Sequence, residues 1–339
     1  MDSIFWSSLA NPVIGLSPMD GVTDAAMRFV TASIAKPSIM FTEFTSAEGI
    51  RAGASRLMKD FMYSELERPV IAQIFGSDPD AFYLSSLVVC ALGFDGIDIN
   101  MGCPAKSVAE RGCGAGLINT PKLAAQIIAS VKQGIVDYNS GIKLEETPLP
   151  IEITAHTRQF SYQPKIIPVS VKTRIGYDQP QTRDWIGFLL EQNLAAISLH
   201  GRTLRQHYTG FADWDQIALA AELARSASTV LLGNGDIKSH AQATNYIKQY
   251  QLDGVLIGRA ALGNPWVFSG HTPSPREKLD TAVFHAQTYE QMFPGQSFLP
   301  VRKHLSWYAH GFPGAANIRI QLVQANSAAE VTQICQAVV

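Results

Sequence analysis

The residues best equipped for chemistry lie at positions 98–117, DINMGCPAKSVAERGCGAGL. A strand-like run, GFDGIDIN, stops at a cysteine held between Gly102 and Pro104, and a second glycine cluster surrounds Cys113. Such a cysteine is poorly placed for a disulfide and well placed to face a ligand. Its type allows four uses: nucleophile, proton donor, metal ligand or inert core thiol. No Cys or His cluster with ligand spacing accompanies Cys103, so no metal is expected. An acyl-transfer triad and a thiol acting as general acid toward an unsaturated ring both stay open, because spacing does not choose between them.

Other reactive types recur at the ends of apolar runs. Lys172 ends VSVKT, where a lysine is costly to bury unless it meets an anion or an electron-rich ring. His200 follows ISL and precedes GRT, and Gln73 lies inside VIAQIFG, where an amide can pair with the edge of a heterocycle. LLGNGDIKSH and LIGRAALGNPW each lead a glycine turn toward a helix, and turns of that kind hold phosphate through backbone N–H groups. Arg259 adds charge to the second.

Eight β-type segments position these groups: 13–17, 39–44, 70–76, 96–102, 166–174, 195–203, 229–236 and 254–260. Most are continuously apolar, as strands buried on both faces are. Helix-compatible stretches separate several of them. PKLAAQIIASVKQGI (121–135) has Pro at a first helical position and Thr120 as a candidate cap, and SHAQATNYIKQY (239–250) has the same character. The pattern predicts an α/β fold, a (β/α)8 TIM barrel, with a doubly wound sheet as the competing architecture. The active site of a barrel lies at the C-terminal ends of its strands. Ser17-Pro18-Met19, Glu43, Gln73, residues 100–103, residues 172–174, residues 200–203, residues 234–236 and Gly258-Arg259 all fall there.

Residues 137–165 are long for a helix-to-strand connection and are expected to form a surface excursion, a small hairpin around the β-like run IEITAHT. SGHTPSPREK (269–278) reads as a linker. Four helical stretches follow, giving a small C-terminal all-helical domain, 276–339, after a barrel domain, 1–268.

Composition sets the outer limits. The chain has 339 residues, 46% hydrophobic and 17% charged, with a formal net charge of −2. That charge disfavours a broad electrostatic grip on nucleic acid and leaves room for a local basic patch. No apolar run is long enough to span a membrane, and the first residues lack the pattern of a signal peptide. Four irregularly spaced cysteines do not form a disulfide framework, so a cytoplasmic location is expected.

The chain resembles the tRNA-dihydrouridine synthases, flavin enzymes that reduce particular uridines in tRNA. The resemblance rests on SPMDGVTD (17–24), FTEF (41–44), AQIFG (72–76), residues 98–117, PVSVKTRIGYD (168–178), SLHGRT (198–203), GNGDI (233–237), IGRAALGNPW (257–266) and VRKHLSWYAHG (301–311), in family order. It implies a bound FMN with Pro18 and Met19 beside its rings, Gln73 at their polar edge and Lys172 at the N1/O2 side. His200 also contacts the flavin, and Asn234, Gly235, Gly258 and Arg259 hold its phosphate. NADPH reduces the flavin and leaves. A uridine pulled out of the tRNA then receives hydride at C6, and Cys103 protonates C5. Asn100 orients the uracil, Arg174 and Arg202 grip the nucleotide, and the helical domain binds tRNA, with Arg302, Lys303 and Arg319 as phosphate contacts. A monomer is expected.

Three features depart from the family pattern, one of them a net charge low for a tRNA binder, so that binding would rest on a local patch. The 137–165 segment is long and offers itself for contact with tRNA or cofactor, and Ala260 replaces a common glycine. The alternatives are an FMN-dependent barrel oxidoreductase acting on a free small molecule, of dihydropyrimidine or dihydroorotate type, and a non-catalytic tRNA-binding factor.

Overall fold

The computed structural model describes residues 5, 6, 8, 9, 11–158, 160, 162–207 and 209–337. All eight expected strands form: β1 Val13–Leu16, β2 Met40–Ser46, β3 Val70–Phe75, β4 Gly96–Met101, β5 Val169–Gly176, β6 Ala196–Thr203, β7 Val230–Asn234 and β8 Gly254–Ile257. They pair in parallel in the order β1-β8-β7-β6-β5-β4-β3-β2. The cylinder is completed where Ser38 N–H donates to Ile14 O (2.9 Å) and Leu16 N–H to Ile39 O (3.0 Å), between β1 and the segment entering β2. This is the (β/α)8 barrel, not the doubly wound sheet.

Helices on the outside connect most strands. Ala25–Ala35, Pro79–Ala91, Pro121–Asn139, Thr182–Glu191, Trp214–Ala224 and His240–Tyr250 each turn an apolar stripe inward. Helix Pro121–Asn139 buries Ala124, Ile127, Ile128, Val131 and Ile135 at helical spacing. Thr120 stands at its cap position, but its side chain accepts no cap hydrogen bond. Ser239 does cap the helix His240–Tyr250, accepting from Gln242 N–H at 3.2 Å.

The alternation of side chains along each strand divides the barrel interior into levels. Phe41, Ile71, Ala196, Leu232 and Leu256 belong to one buried apolar cluster with Trp6 at its closed end. The next inward positions are polar. Gln73 pairs with Asp98 and Asp98 with Ser170, then Asn100 with Lys172 and Lys172 with Ser198, then Arg174 with His200 and His200 with Asn234. A two-residue period therefore delivers side chains from five strands to one end of the barrel.

The excursion differs from expectation. Helix Pro121–Asn139 runs through its first residues, and IEITAHT forms a helix, Ile151–Thr157, instead of a hairpin strand. Ile153, Thr154 and Thr157 are buried, and this tertiary packing overrides the β propensity of Ile and Thr. Gln159 and Ser161, within the expected excursion, lie outside the described residues, as do Val338 and Val339 of the expected helical domain.

The C-terminal region forms the four expected helices, Pro275–Met292, Leu299–Tyr308, Ala315–Leu322 and Ala328–Gln336. The first begins inside the expected linker, because Ser274 and Glu277 form a capping box around Pro275. These helices share a hydrophobic cluster of their own that takes in Ala25, Ala26 and Trp266 of the barrel. Among the described residues, no helix is long and apolar enough to cross a membrane.

One fully buried ion pair anchors the barrel side of this contact. Arg28 Nε meets Glu67 Oε2 at 2.7 Å with both side chains at 0% exposure. The guanidinium also donates to Thr23 O at 2.7 Å and to Met62 O. Replacing Arg28 by Met leaves the Glu67 carboxylate buried without its cation, and loss of one partner of such a pair costs about 3–5 kcal/mol. Urea unfolding of Arg28→Met should show a loss of that size, and a change under about 1 kcal/mol would contradict the assignment.

Candidate active site

A cavity of about 950 Å³ opens at the C-terminal ends of the strands. Pro18, Met19, Gln73, Asn100, Cys103, Lys172, Arg174, His200, Arg202, Asn234, Gly235, Gly258 and Arg259 all line it. Those residues share one space, whereas Glu43, also expected at the barrel mouth, is not among the lining residues, nor are Met101, Thr173, Gly201 and Thr203. None of the described residues between 140 and 165 lines it. The excursion instead packs Tyr162 against Arg68 and Gly93, beside the N-terminal ends of β3 and β4.

Cys103 leaves β4 on a short loop whose backbone is fixed from two sides. Its N–H donates to Asn100 Oδ1 at 2.9 Å, and its carbonyl accepts from Ala115 N–H at 3.2 Å. The second glycine cluster explains itself here. Gly114 has φ +55°, and a Cβ on it would lie 3.0 Å from Cys103 O and 3.1 Å from Cys103 Cβ. Cys113 is buried and faces Arg111 O, away from the cavity. Burial pushes the Cys103 thiol above its ordinary value and Asp20 adds to this, against the Ala105 N–H, Arg174 and Lys172. At neutral pH the group is a thiol with a proton to give.

Lys172 lies across from it, half-buried at the floor, with Nζ donating to Asn234 Oδ1 at 3.2 Å. Burial lowers its pKa to about 8, with Arg174 acting in the same direction and Asp98 in the other. His200 is held far below its ordinary range by burial and by Arg174, Lys172, Arg202 and Arg259, so its ring is neutral. Its Nε2 is 3.3 Å from Arg202 Nη1. Arginine only donates, which puts the lone pair on Nε2 and the ring proton on Nδ1.

The glycine turns form a cradle. Gly235 has φ +138°, and a Cβ there would come within 2.5 Å of Ala212 Cβ. A Cβ on Gly258 would fill the space beside Met19 and Ser17, with Met19 Sδ at 3.5 Å. Asp236, also at positive φ, joins two arginines: Arg202 at 2.7 Å and Arg259 at 2.6 Å. Burial pulls its pKa up, but the Ala212 N–H and Arg202 outweigh this and hold the carboxylate low.

The arginines are engaged with the wall. Arg174 donates to Gly102 O (2.7 Å) and Thr203 O (3.1 Å), and Arg202 donates to Gly210 O (2.7 Å) as well as Asp236. The cations expected to meet phosphates on the terminal helices are engaged too. Arg302 donates to Ala325 O, Arg319 to Ala309 O and Lys303 to Gly21 O, each joining the chain after or between elements.

Several residues in and beneath the cavity escaped the sequence reading. Asp98 and Ser170 form the polar level beneath the cavity, Lys106, His207 and Lys238 stand on its walls, and Trp307 reaches it from the terminal helices. Trp307 lies in the stretch SWYAHG, yet nothing in a sequence signals that a helix so far along the chain folds back to the barrel mouth. Among the described residues, no group of three or more His, Cys, Asp or Glu could hold a metal ion.

The fold and this cavity define a (β/α)8 barrel with a polar, charged cavity at the C-terminal ends of its strands. A sequence profile described as dihydrouridine synthase (Dus) matches residues 15–143 and 135–339. The chain is 34% identical over 349 residues to the "Probable tRNA-dihydrouridine synthase" of Staphylococcus epidermidis, covering 98% of this chain and 96% of that protein. It is 32% identical over 340 residues to "Probable tRNA-dihydrouridine synthase 2" of Bacillus subtilis, covering 98% and 95%. The chain belongs to the dihydrouridine synthase family. Ligand-free DHODH from Eimeria tenella shares the fold, with a TM-score of 0.50 at 13% identity over 76% of this chain and 81% of that one.

The cysteines give a direct check on the site. Cys90, Cys113 and Cys335 are buried, whereas Cys103 is partly open to the cavity. Iodoacetamide should therefore label one thiol in the native protein, at Cys103. The rate should be slow at pH 7 and rise with pH to a midpoint above the ordinary thiol value, since the thiolate is the reactive form. Fast labelling at pH 7 would show that the thiol is already ionised.

Proposed function

We propose that this protein reduces uridine in tRNA to 5,6-dihydrouridine, with FMN as its bound cofactor and NADPH as reductant. The observation that carries this reading is that the Cys103 thiol and the half-buried Lys172 side chain face one cavity, in a chain of the dihydrouridine synthase family. The residues present suit FMN. Gly235 and Gly258 leave a cradle that a Cβ would fill, with Arg259 beside it, and these would hold the phosphate. Pro18 and Met19 would flank the rings, Gln73 would meet their polar edge, and Asn234 would act by holding Lys172.

FMN, when bound, supplies hydride for C6 of the uracil ring. Lys172 keeps a positive charge beside the electron-rich part of that cofactor, which favours its reduced form. Neutral His200 presents its Nδ1–H without adding a second buried charge. Cys103 gives its proton to C5, and the thiolate left behind is reprotonated from solvent. The added hydride and proton together saturate the C5–C6 double bond. Asn100 orients the base, while Arg174 and Arg202 act on the nucleotide by fixing the loops around it.

RNA reaches the cavity over a rim that carries Lys106, Lys238 and Arg259. Phe211, 85% exposed, stands on the loop that Arg202 fastens through Gly210, and an exposed aromatic there offers an unpaired base a stacking surface. A local basic rim reconciles tRNA binding with a net charge of −2. The terminal helices contribute Trp307 to the same rim and form the further tRNA-binding surface of this reading.

Mass-spectrometric mapping of dihydrouridine in tRNA from cells lacking the protein tests the reading directly. Loss of dihydrouridine at one or more positions is expected, and an unchanged map sinks it. Cys103→Ala should retain FMN while turnover falls about 10²–10⁴-fold. Lys172 adds a pH signature. Its charge is present below about pH 8 and is lost above it. If the ammonium helps hold FMN, binding above that pH must take up a proton, so the Kd should rise by up to about tenfold per pH unit. Lys172→Met should bind FMN more weakly and without that slope; a wild-type Kd flat across this range would refute the contact.

A further inference from the structure

We propose that Asp98 is a positioning residue that fixes the direction of the Gln73 and Asn100 side-chain amides, and through them the placement of Cys103. The group stands on β4 two residues before Asn100, with 0% exposure. A chain of hydrogen bonds runs from it to the cavity. Ser170 Oγ–H donates to Asp98 Oδ1 at 2.6 Å, and Gln73 Nε2–H donates to Asp98 Oδ2 at 2.7 Å. Asn100 Nδ2–H donates to Gln73 Oε1 at 3.0 Å. Asn100 Oδ1 then accepts from Gly102 N–H at 3.1 Å and Cys103 N–H at 2.9 Å.

The direction of this chain follows from chemistry, whichever way the amide atoms are assigned. An ionised carboxylate only accepts, so the Gln73 nitrogen must face Asp98 and its oxygen must face Asn100. Two backbone N–H groups only donate, so the Asn100 oxygen must face Cys103 and its nitrogen must face Gln73. Reversing either amide sets acceptor against acceptor at one end or donor against donor at the other. Both ends thus demand the same polarity, and the residues between them are buried, where an unmade hydrogen bond is expensive.

The polarity has a consequence for the ligand. Each amide nitrogen uses one N–H inside the chain, and both residues line the cavity. Each therefore has a second N–H to offer, which matches ring edges that carry carbonyl oxygens or lone-pair nitrogens. Without the carboxylate, Gln73 is free to turn and present an acceptor instead. Asn100 would follow, and the loop bearing Cys103 would lose the oxygen that holds its first two N–H groups.

The inference rests on the proposed uridine reduction for its activity readout only. Four variants test it: Asp98→Ala, Asp98→Asn, Ser170→Ala and the Asp98→Asn/Ser170→Ala double. Each is assayed for kcat and KM on tRNA. Separately, hydrogen exchange of the side-chain amides of Gln73 and Asn100 is followed by NMR in flavin-free protein. D98A should lower kcat about 10- to 100-fold with KM for tRNA nearly unchanged, and amide exchange should quicken by about tenfold or more.

D98N should keep amide exchange within about threefold of wild type and lose clearly less kcat than D98A, the remaining loss reflecting the carboxylate's support of the Lys172 charge. Its Oδ1 can still accept from Gln73 while its Nδ2 donates to Ser170, whose hydroxyl rotates to accept. S170A alone should stay close to wild type, because Gln73 still finds the carboxylate. The double variant should fall to the D98A level, since the asparagine then loses its reason to face one way. A D98A protein with wild-type kcat and exchange would overturn the proposal. So would D98N falling as far as D98A, which would make the charge and not the amide direction the relevant property. If D98A does not fold, the contrast between D98N and the double variant decides. If wild-type protein reduces no uridine, the proposed function fails, while the exchange measurement still decides the role of Asp98.

Discussion

The most demanding constraint in this protein is a lysine ammonium inside a barrel. Burying a cation is unfavourable unless fixed dipoles and charges around it replace water, and here Lys172 has Asn234 at hydrogen-bond distance and the Asp98 carboxylate on the neighbouring strand. Asp98 in turn has its pKa raised to about 6 by burial, with Ser170, Gln73 and Lys172 opposing the rise. Each member of this pair makes the charge of the other less costly. The polar level they occupy separates an apolar barrel interior from the cavity, so a change there alters both the packing below and the chemistry above.

The Cys103 segment depends on that level. In the role proposed for it, the thiol must stay protonated and must also be held at a defined place. Burial supplies the first condition. The second comes from Asn100 on one side and Ala115, with Gly114 close beneath, on the other. The glycine-rich run after Cys103 is therefore a support that needs close backbone approach, and Cys113 is a small buried residue within that support.

The barrel was legible because β strands with two buried faces are apolar in runs, and because polar types gather where those runs end. Lys172, His200 and Gln73 could be picked out by the cost of burying them, and all three reach the cavity. Asp98 was harder to see, since an aspartate within a strand gives no sign of which residues on adjacent strands it meets. Its partners, Gln73 and Ser170, are 25 and 72 positions away. Arg174 and Arg202 were visible as cavity residues, but their engagement with Gly102, Thr203, Gly210 and Asp236 follows from loop geometry that spacing does not encode. The helix Ile151–Thr157 was misread for a related reason: its β-branched residues follow the surface they pack on, not their own preference.

The terminal helices are joined to the chemistry more closely than a separate module would be. Trp307 lines the cavity, and Gly263 after β8 lies so near the backbone of Trp307 and Tyr308 that a Cβ would come within 2.3 Å. Lys303 reaches the Gly21 carbonyl, in the loop that follows Pro18 and Met19. Displacing these helices would thus disturb the loops after the neighbouring strands β1 and β8, which together form one side of the cavity. The helices therefore present a surface mechanically continuous with the cavity rim, and the packing that holds them in place also shapes the site.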